Sequence, residues 1–346
     1  MQSDVLKKIA EDIKTSEDNG EGEKIVFGKK GYNSFAIDRK NFEGIDIKEC
    51  DKRIAFIDGG NSEIIGSTSF SVQLIRTYCC VFQGNKKIDE IKNEFFVLAD
   101  SSVKDEEVFY RAKIYPLIGD FKIDDFSINS MDKNIVEGGR RAKIAKIGDI
   151  ARRVGEIRLA EEAIESEKAD IIVFDGTLEC TAGEKIYLDK VYENALIKDT
   201  LICALAKTTN LFTDKGKNAL VYVNKLSNCG VWMHTKIAEI DNEEHKAEIL
   251  IAKLNEKSKH CFRFEIFNRQ KERKKEILGC LLANSKDISF PGYPYGLIIA
   301  DRFARVSNNE KAYLRTLFFS KAGGKTEMLV NETASINSHN ILDSIN

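Results

Sequence analysis

The first third of the chain alternates short apolar runs with turn-forming residues, which is typical of strands joined by short loops. Residues 54–57 (Ile-Ala-Phe-Ile) predict a strand buried on both faces, and Asp58-Gly59-Gly60 predicts a turn at its end. Two further strands are predicted over 67–83 and 93–98, with a turn at 83–86 between them. These segments together predict an antiparallel meander that starts with the Asp58 strand.

A long helical pattern and a second buried strand follow. Isoleucine and valine recur at helical spacing over 140–168, and the apolar run 169–174 predicts a strand that ends in Asp175-Gly176. Residues 101–135 are charged and irregular, so we interpret them as an insertion or lid, with one strand or short helix at 108–118. A meander followed by a helix and a strand is typical of a mixed α/β sheet.

The second half of the chain contains hydrophobic patterns typical of strands and patterns typical of helices. The patterns predict strands at 219–224, 231–237, 247–253 and 261–267, and helices at 188–207, 271–284, 296–306 and 310–319. An aromatic, proline-rich turn over 290–295 precedes the helix at 296–306. The predicted fold is therefore α/β, a mixed β-sheet flanked by helices, with an insertion and C-terminal helices.

Composition restricts the classes of function. The formal net charge of −2 excludes a uniformly basic nucleic-acid-binding protein, so contact with nucleic acid would need local basic patches or metal ions. The 8 cysteines and 4 histidines show no ligand spacing, which argues against a zinc site or a disulfide framework and favours mostly reduced core cysteines. No apolar window reaches the length of a membrane span and the N-terminus is polar, so we expect a cytoplasmic protein.

Two aspartates mark the ends of the two predicted buried strands. If these strands are neighbours, Asp58 and Asp175 lie within a few ångströms of each other, as a divalent ion requires. A carboxylate on the intervening helix would complete a triad. Glu161 and Glu162 compete with Glu156 for this role, and because the helix is apolar on both sides either Glu156 or Glu161 could point inward. The alternative for Asp58 is a turn aspartate that accepts hydrogen bonds from the amides after it, and for each glutamate an exposed helix position.

This ordered set of motifs resembles the NurA nucleases, partners of the HerA hexameric ATPase in DNA end resection. The matching segments are 54–64, 152–178, 204–208 and 292–304. The resemblance implies an RNase H-like nuclease domain over 46–325, between an N-terminal extension (1–45) and a C-terminal tail (326–346). It also implies Mn²⁺- or Mg²⁺-dependent endonuclease and 5′–3′ exonuclease activity on single-stranded DNA and DNA ends, a homodimer, and docking on a HerA-type ATPase.

Position within the family motifs implies the metal-binding residues. Asp58, Glu156 and Asp175 take the places of the three family carboxylates, and the spacing to the Asp175 strand selects Glu156 over Glu161. Asp301 occupies a metal-site position that is often histidine in the family, which keeps a metal-ligand type but changes its charge. Its alternative is a helix-surface aspartate. Oxygen ligands of this kind favour Mn²⁺ or Mg²⁺ over zinc.

The resemblance also implies contacts with substrate. Lys207 matches a basic position that binds phosphate, with the alternative that it offsets a helix dipole. Arg302 and Tyr295 are assigned to substrate as well, and four aromatic side chains are candidates for stacking on bases: Tyr293, Tyr295, Phe303 and Trp232.

Two other classes of function stay open. Residues 57–62 also resemble the first phosphate loop of an actin/Hsp70-like ATPase or kinase, although 173–177 supplies only a fragment of the second. No G-x-x-x-x-G-K-[ST] motif occurs, so the chain is not itself the motor. The third class is a non-catalytic RNase H-like adaptor, against which the intact carboxylates argue.

Overall fold

The computed structural model describes residues 2–12, 20–46, 50–119, 123–136, 138–227 and 230–333. Its largest feature is a 12-stranded sheet with the order β2-β12-β13-β14-β10-β9-β4-β5-β6-β7-β8, in which β3 also pairs with β12; β1 and β11 form a separate pair. The strands are β1 (Ile25–Val26), β2 (Tyr32–Ser34), β3 (Phe42–Gly44), β4 (Arg53–Gly66), β5 (Phe70–Gln83), β6 (Lys86–Lys104), β7 (Glu107–Ile118), β8 (Phe126–Asn129), β9 (Ile171–Asp175), β10 (Leu201–Ala206), β11 (Phe212–Thr213), β12 (Trp232–Asp241), β13 (Lys246–Lys253) and β14 (Phe262–Phe267).

Helices cover both faces of the large sheet. The covering helices are α2 (Lys146–Glu165), α3 (Ala182–Ile197), α4 (Ala219–Leu226), α5 (Lys274–Asn284), α6 (Tyr295–Ala304) and α7 (Asn308–Ala322), whereas α1 (Gln2–Asp12) buries no residue. The even-numbered side chains of β4, such as Phe56, pack with α5 and α6, whereas the odd-numbered ones, such as Ile57, pack with α2 and α3. The predicted α/β architecture, a mixed sheet flanked by helices, is confirmed.

The antiparallel meander is longer and more regular than the pattern predicted. Strands β4 to β8 pair in sequence, so the irregular structure expected at the start of 101–135 is wrong: β6 runs to Lys104, and β7 and β8 extend the sheet. Asp105 and Glu106 both have positive φ (50° and 65°), as a tight hairpin turn requires. Of the two possibilities predicted for 108–118, the strand is confirmed as β7. Only Tyr110 and Ala112 are buried on it, so its period did not decide between a strand and a short helix.

The predicted turn after Asp58 is also wrong, because β4 continues through Gly59 and Gly60 to Gly66. These glycines are required for close packing, since a Cβ on Gly60 would lie 2.3 Å from the carbonyl oxygen of Ala304 in α6. A strand at this point also removes the phosphate loop that an actin/Hsp70-like ATPase would place here.

Two short apolar runs were assigned to the wrong element. The helix predicted over 188–207 ends at Ile197, and after a turn with Asp199 at φ 53° the chain forms β10, whose 6 residues are all buried. The strand predicted over 219–224 is helix α4, whose first turn is capped by the Asn218 side chain. Short apolar runs do not distinguish a buried strand from a buried helix by period alone.

The remaining sequence expectations concern cysteines and membranes. Cys50 and Cys280 form a disulfide, against the expectation of reduced thiols at these two positions, whereas five others are free and buried: Cys79, Cys80, Cys180, Cys203 and Cys261. Cys229 lies outside the described residues. Within the described ranges, no helix combines the length and apolar character that crossing a membrane demands. The domain boundaries at 45 and 325 stay predictions.

Candidate active site

The parallel register of two central strands brings the first two aspartates together. Strand β9 runs parallel to β4 with Phe174 opposite Ile57, so the next residue on each strand is an aspartate, Asp58 or Asp175. Helix α6 packs on β4 and carries Asp301. One carboxylate oxygen from each of these three residues lies within 4.8 Å of the other two. Three of the four predicted metal ligands therefore form one group, here called the carboxylate cluster.

Glu156 approaches this cluster from the opposite face of the sheet. Gly59 faces helix α2, and a Cβ built there would lie only 2.6 Å from Oε1 of Glu156. Strand β9 ends at Asp175, and among the described residues no strand pairs with that edge of β4 after Ile57. Side chains of α2 can therefore reach the cluster past this edge. Glu156 is 2% exposed and pairs with Arg152 and with Arg153 Nη1 (2.9 Å). Glu156 thus lies beside the strand of Asp58, close enough for its charge to act on Asp58.

Glu161, the alternative helix carboxylate, has a different environment. It is buried on α2 and pairs with Arg158, one turn earlier on the same helix. The side-chain volume that Gly59 leaves open is filled by Glu156 and Arg152. The structure therefore places Glu156 next to the strand of Asp58.

Lys207 joins two members of the carboxylate cluster. Its Nζ lies 2.6 Å from Asp175 Oδ2 and 2.9 Å from Asp301 Oδ1. The Tyr293 hydroxyl donates a hydrogen bond to Asp175 Oδ1 (2.9 Å), and Arg305 Nη2 donates to Asp301 Oδ2 (2.9 Å). Because Lys207 follows strand β10, the alternative that it offsets a helix dipole is wrong.

The cluster brings three acidic side chains close together in a half-buried place. Burial, followed by the charges of Asp175 and Glu156, raises the pKa of Asp58 to about 8. Burial also raises the pKa of Asp175, although Lys207 opposes this effect. At Asp301 the upward effect of burial is outweighed by Lys207 and Arg305, so its pKa is lowered. A cation that enters the cluster would relieve this repulsion.

The donor set fits a divalent ion. Asp58, Asp175 and Asp301 supply hard oxygen atoms at short mutual distances, which is the ligand type that Mg²⁺ and Mn²⁺ prefer. Burial and the neighbouring acids disfavour the charged form of Asp58, a cost that a divalent ion would offset. Glu156 lies outside this group of three, and its oxygens pair with Arg152 and Arg153, so its role as a metal ligand stays a prediction.

The predicted substrate residues separate into surface and core positions. Tyr295 and Phe303 are 38% and 49% exposed on α6, and Arg302 is exposed between Asp301 and Phe303. Tyr293 and Trp232 are 0% exposed, so the prediction that they stack on bases is wrong. The side chain of Tyr293 instead orients Asp175 through its hydroxyl group.

Sequence reasoning missed the role of Arg152 and Arg153 beside Glu156. Their spacing of four and three residues before Glu156 was the available signal, because side chains so separated lie on one helix face. Arg153 also donates from Nη2 to the carbonyl of Thr177 (2.7 Å), two residues after Asp175. Arg153 therefore connects the helix carboxylate with the loop that follows β9.

Fold and site together define an α/β protein with a half-buried carboxylate cluster at the point where the parallel pairing of β4 and β9 ends. Comparison with protein-family models then gives the family. The NurA domain matches residues 52–306, more than half of the chain, and all four segments that carry the sequence resemblance lie within it. The protein belongs to the NurA domain family, as the sequence analysis predicted.

Comparison with solved structures gives two similar chains of low sequence identity. The NurA nuclease from Sulfolobus solfataricus is 14% identical, with 82% of this chain and 88% of that chain covered and a TM-score of 0.49. Endonuclease V from Ciona intestinalis, in complex with a 24mer DNA containing an inosine followed by a ribo-adenosine, is 11% identical, with 75% and 90% covered and a TM-score of 0.38. The curated protein sequences contain no significant match.

Proposed function

We propose that this protein is an RNase H-like, divalent-metal-dependent nuclease that cleaves single-stranded DNA and DNA ends. The observation that carries the proposal is the convergence of Asp58, Asp175 and Asp301 within 4.8 Å in a chain that belongs to the NurA domain family. Mn²⁺ or Mg²⁺, when bound, supplies the positive charge that activates water and stabilises the leaving 3′-oxygen in an in-line displacement.

The residues of the chain divide this work between them. Asp58, Asp175 and Asp301 hold the ions, and Glu156 contributes a carboxylate from the other face of the sheet. The substrate contacts are Lys207, whose side chain is 33% exposed beside the cluster, and the exposed side chains of α6. Arg302 pairs with the phosphate backbone there, and Tyr295 stacks on a base.

The finer parts of the proposal rest on family membership. We infer that the enzyme has endonuclease and 5′–3′ exonuclease activity and that it acts in end resection of DNA double-strand breaks. We further infer that it works in the cytoplasm as a homodimer docked on a HerA-type hexameric ATPase. Light scattering of the purified protein, alone and with a HerA-type ATPase from the same genome, tests both associations.

The activity experiment uses end-labelled single-stranded DNA with Mn²⁺, with Mg²⁺ and with EDTA. Wild-type protein should cut with either ion and not in EDTA, whereas Asp58→Asn and Asp175→Asn should lose activity. Asp170→Asn is the matched control, because Asp170 pairs with Arg53 at the opposite ends of the same two strands. Wild-type cleavage by both site variants would refute the proposal.

The same preparation separates the two alternative functions. ATP hydrolysis without DNA cleavage would favour the ATPase or kinase. DNA or partner binding that is unaffected by metal, without cleavage, would favour the adaptor.

A further inference from the structure

A second buried polar network lies outside the carboxylate cluster, and the proposed mechanism does not use it. Its centre is Glu265 on β14, which is 0% exposed and pairs with Arg263. Oε2 of Glu265 lies 2.9 Å from Nε2 of His245, and Nδ1 of His245 lies 3.0 Å from the Tyr32 hydroxyl. A proton on Nε2 of His245 satisfies both contacts, because Nδ1 then accepts a hydrogen bond from Tyr32.

These partners keep Glu265 charged in the protein interior. Burial alone would raise the pKa of Glu265, but the charge of Arg263 and the contacts from His245 outweigh it and hold the pKa at about 2. Buried ion pairs are often no more stabilising than apolar residues of the same size. Stability alone therefore does not explain why a charged glutamate is buried here, and we look for a group that Glu265 holds in place.

Glu265 is connected to the loop that follows Asp175. Its Oε2 accepts a hydrogen bond from the backbone N–H of Leu178 (2.7 Å), and Leu178 is 0% exposed. Between these points, Gly176 N–H donates to the carbonyl of Leu205 (3.1 Å) and the Thr177 carbonyl accepts from Arg153. Each residue of the 176–178 loop is thus held by a different element.

The loop needs such anchors because its first residue is conformationally free. Gly176 has φ +112°, a conformation that side chains with a Cβ rarely adopt. Asp175 is the last residue of β9, so the direction of its carboxylate depends on the backbone that follows as well as on the strand.

We propose that Glu265 is a positioning residue for Asp175 and acts through the amide of Leu178. This inference rests on the proposed function, since it assigns the loop a part in holding the metal ligand. Arg263 and His245 serve to keep Glu265 ionised and oriented toward the loop. Loss of the acceptor should loosen the loop and move Asp175 away from Asp58 and Asp301.

The test compares Glu265→Leu with Glu265→Gln and with a matched control, Glu248→Leu. Glu248 lies on the neighbouring strand β13, is 6% exposed and pairs with Lys274 (2.8 Å), so its loss also removes a buried glutamate from the same sheet. Mn²⁺ affinity is measured by calorimetry without DNA, and amide hydrogen exchange of the 176–180 segment is measured in EDTA.

Glu265→Leu should weaken Mn²⁺ binding about tenfold, the lower end of the range for residues that support metal ligands, and should speed exchange at Leu178. Glu265→Gln keeps an oxygen acceptor and should restore most of both properties, while Glu248→Leu should change neither. Equal effects of the two leucine variants, or no effect of Glu265→Leu, would overturn the proposal.

Two outcomes keep this inference separate from the proposed function. If wild-type protein neither binds Mn²⁺ nor cleaves DNA, the proposed function fails, while hydrogen exchange still reports whether Glu265 anchors the loop. If Glu265→Leu does not fold, hydrogen exchange of the wild-type protein is the test. The Leu178 amide must then exchange as slowly as the central amides of β9, and fast exchange would refute the proposal that Glu265 holds the loop.

Discussion

Replacing Gly59 by alanine tests the placement of Glu156 without changing any charge. The added Cβ would lie 2.6 Å from Glu156 Oε1 and 2.9 Å from Arg152 Cγ. Ordinary contact begins at 3.4 Å, so the Glu156 carboxylate must move by about 0.8 Å. Both groups in the way are flexible side chains, so the backbone of α2 can stay in place.

The expected loss of activity follows from this displacement. A misplacement of about 1 Å near reacting groups costs about 10²-fold in rate, or roughly 2.7 kcal/mol of transition-state stabilisation. Overpacking of this kind costs roughly 1–3 kcal/mol of folding free energy, so we expect a folded variant with a kcat about 100-fold lower. Initial rates of Mn²⁺-dependent cleavage of labelled single-stranded DNA give kcat, and urea unfolding gives the stability.

Gly66→Ala is the matched control for this experiment. A Cβ on Gly66 would lie 2.3 Å from Oε1 of Glu63, so it also crowds a glutamate side chain of the meander. Gly66 is seven residues further along β4, about 23 Å from Gly59. Its kcat should equal that of wild type. The reasoning fails if Gly59→Ala folds and cleaves at the wild-type rate, or if both alanine variants lose activity equally.

Three further predictions concern stability. Gly60→Ala should lower the free energy of unfolding, measured in urea, by about 3 kcal/mol. The added Cβ would lie 2.3 Å from the Ala304 backbone oxygen, so α6 must shift. A urea midpoint equal to that of wild type would contradict this packing. Mn²⁺ should raise the melting temperature of wild type but not of Asp58→Asn, and a Mn²⁺ shift retained by the variant would show that the ion binds elsewhere. In EDTA the variant should be at least as stable as wild type, because folding raises the pKa of Asp58 from 3.8 to about 8 and this costs wild type stability above pH 3.8, a cost that asparagine does not have. The pKa of Glu265 is about 2 in the folded protein against an ordinary 4.5, so its stabilising contribution is complete above pH 4.5 and is lost as the pH falls toward 2. The free energy of unfolding in urea, measured from pH 4.5 downward, should therefore fall less steeply for Glu265→Gln than for wild type. Identical slopes would count against the buried ion pair.

The pairing of Asp58 with Asp175 was predictable because it needs only two facts, a buried strand before each aspartate and a parallel arrangement of the two strands. The buried strands are visible in the local sequence, and the parallel arrangement follows from the helix that connects the two strands. Family motifs added Asp301, whose approach depends on how α6 packs against β4. Long-range packing of this kind leaves no period in the sequence.

The errors have physical causes of the same kind. Gly59-Gly60 looked like a turn, yet these glycines lie within a strand because α2 and α6 press against it from both sides. The run 201–206 looked like the end of a helix because a fully buried strand has no polar alternation. The bond between Glu265 and Leu178 joins residues 87 positions apart, and nothing local to either residue indicates it.

The position of helix α6 late in the sequence has a consequence for a polypeptide that is still being synthesised or folded. Asp58 is made early and Asp301 late, and domains generally fold as units during synthesis. A nascent chain or a proteolytic fragment that ends before Tyr293 lacks both Asp301, the third carboxylate, and the Tyr293 hydroxyl that orients Asp175. Such an incomplete chain cannot assemble the full carboxylate cluster, so the proposed metal site would be complete only after α6 has docked on the sheet.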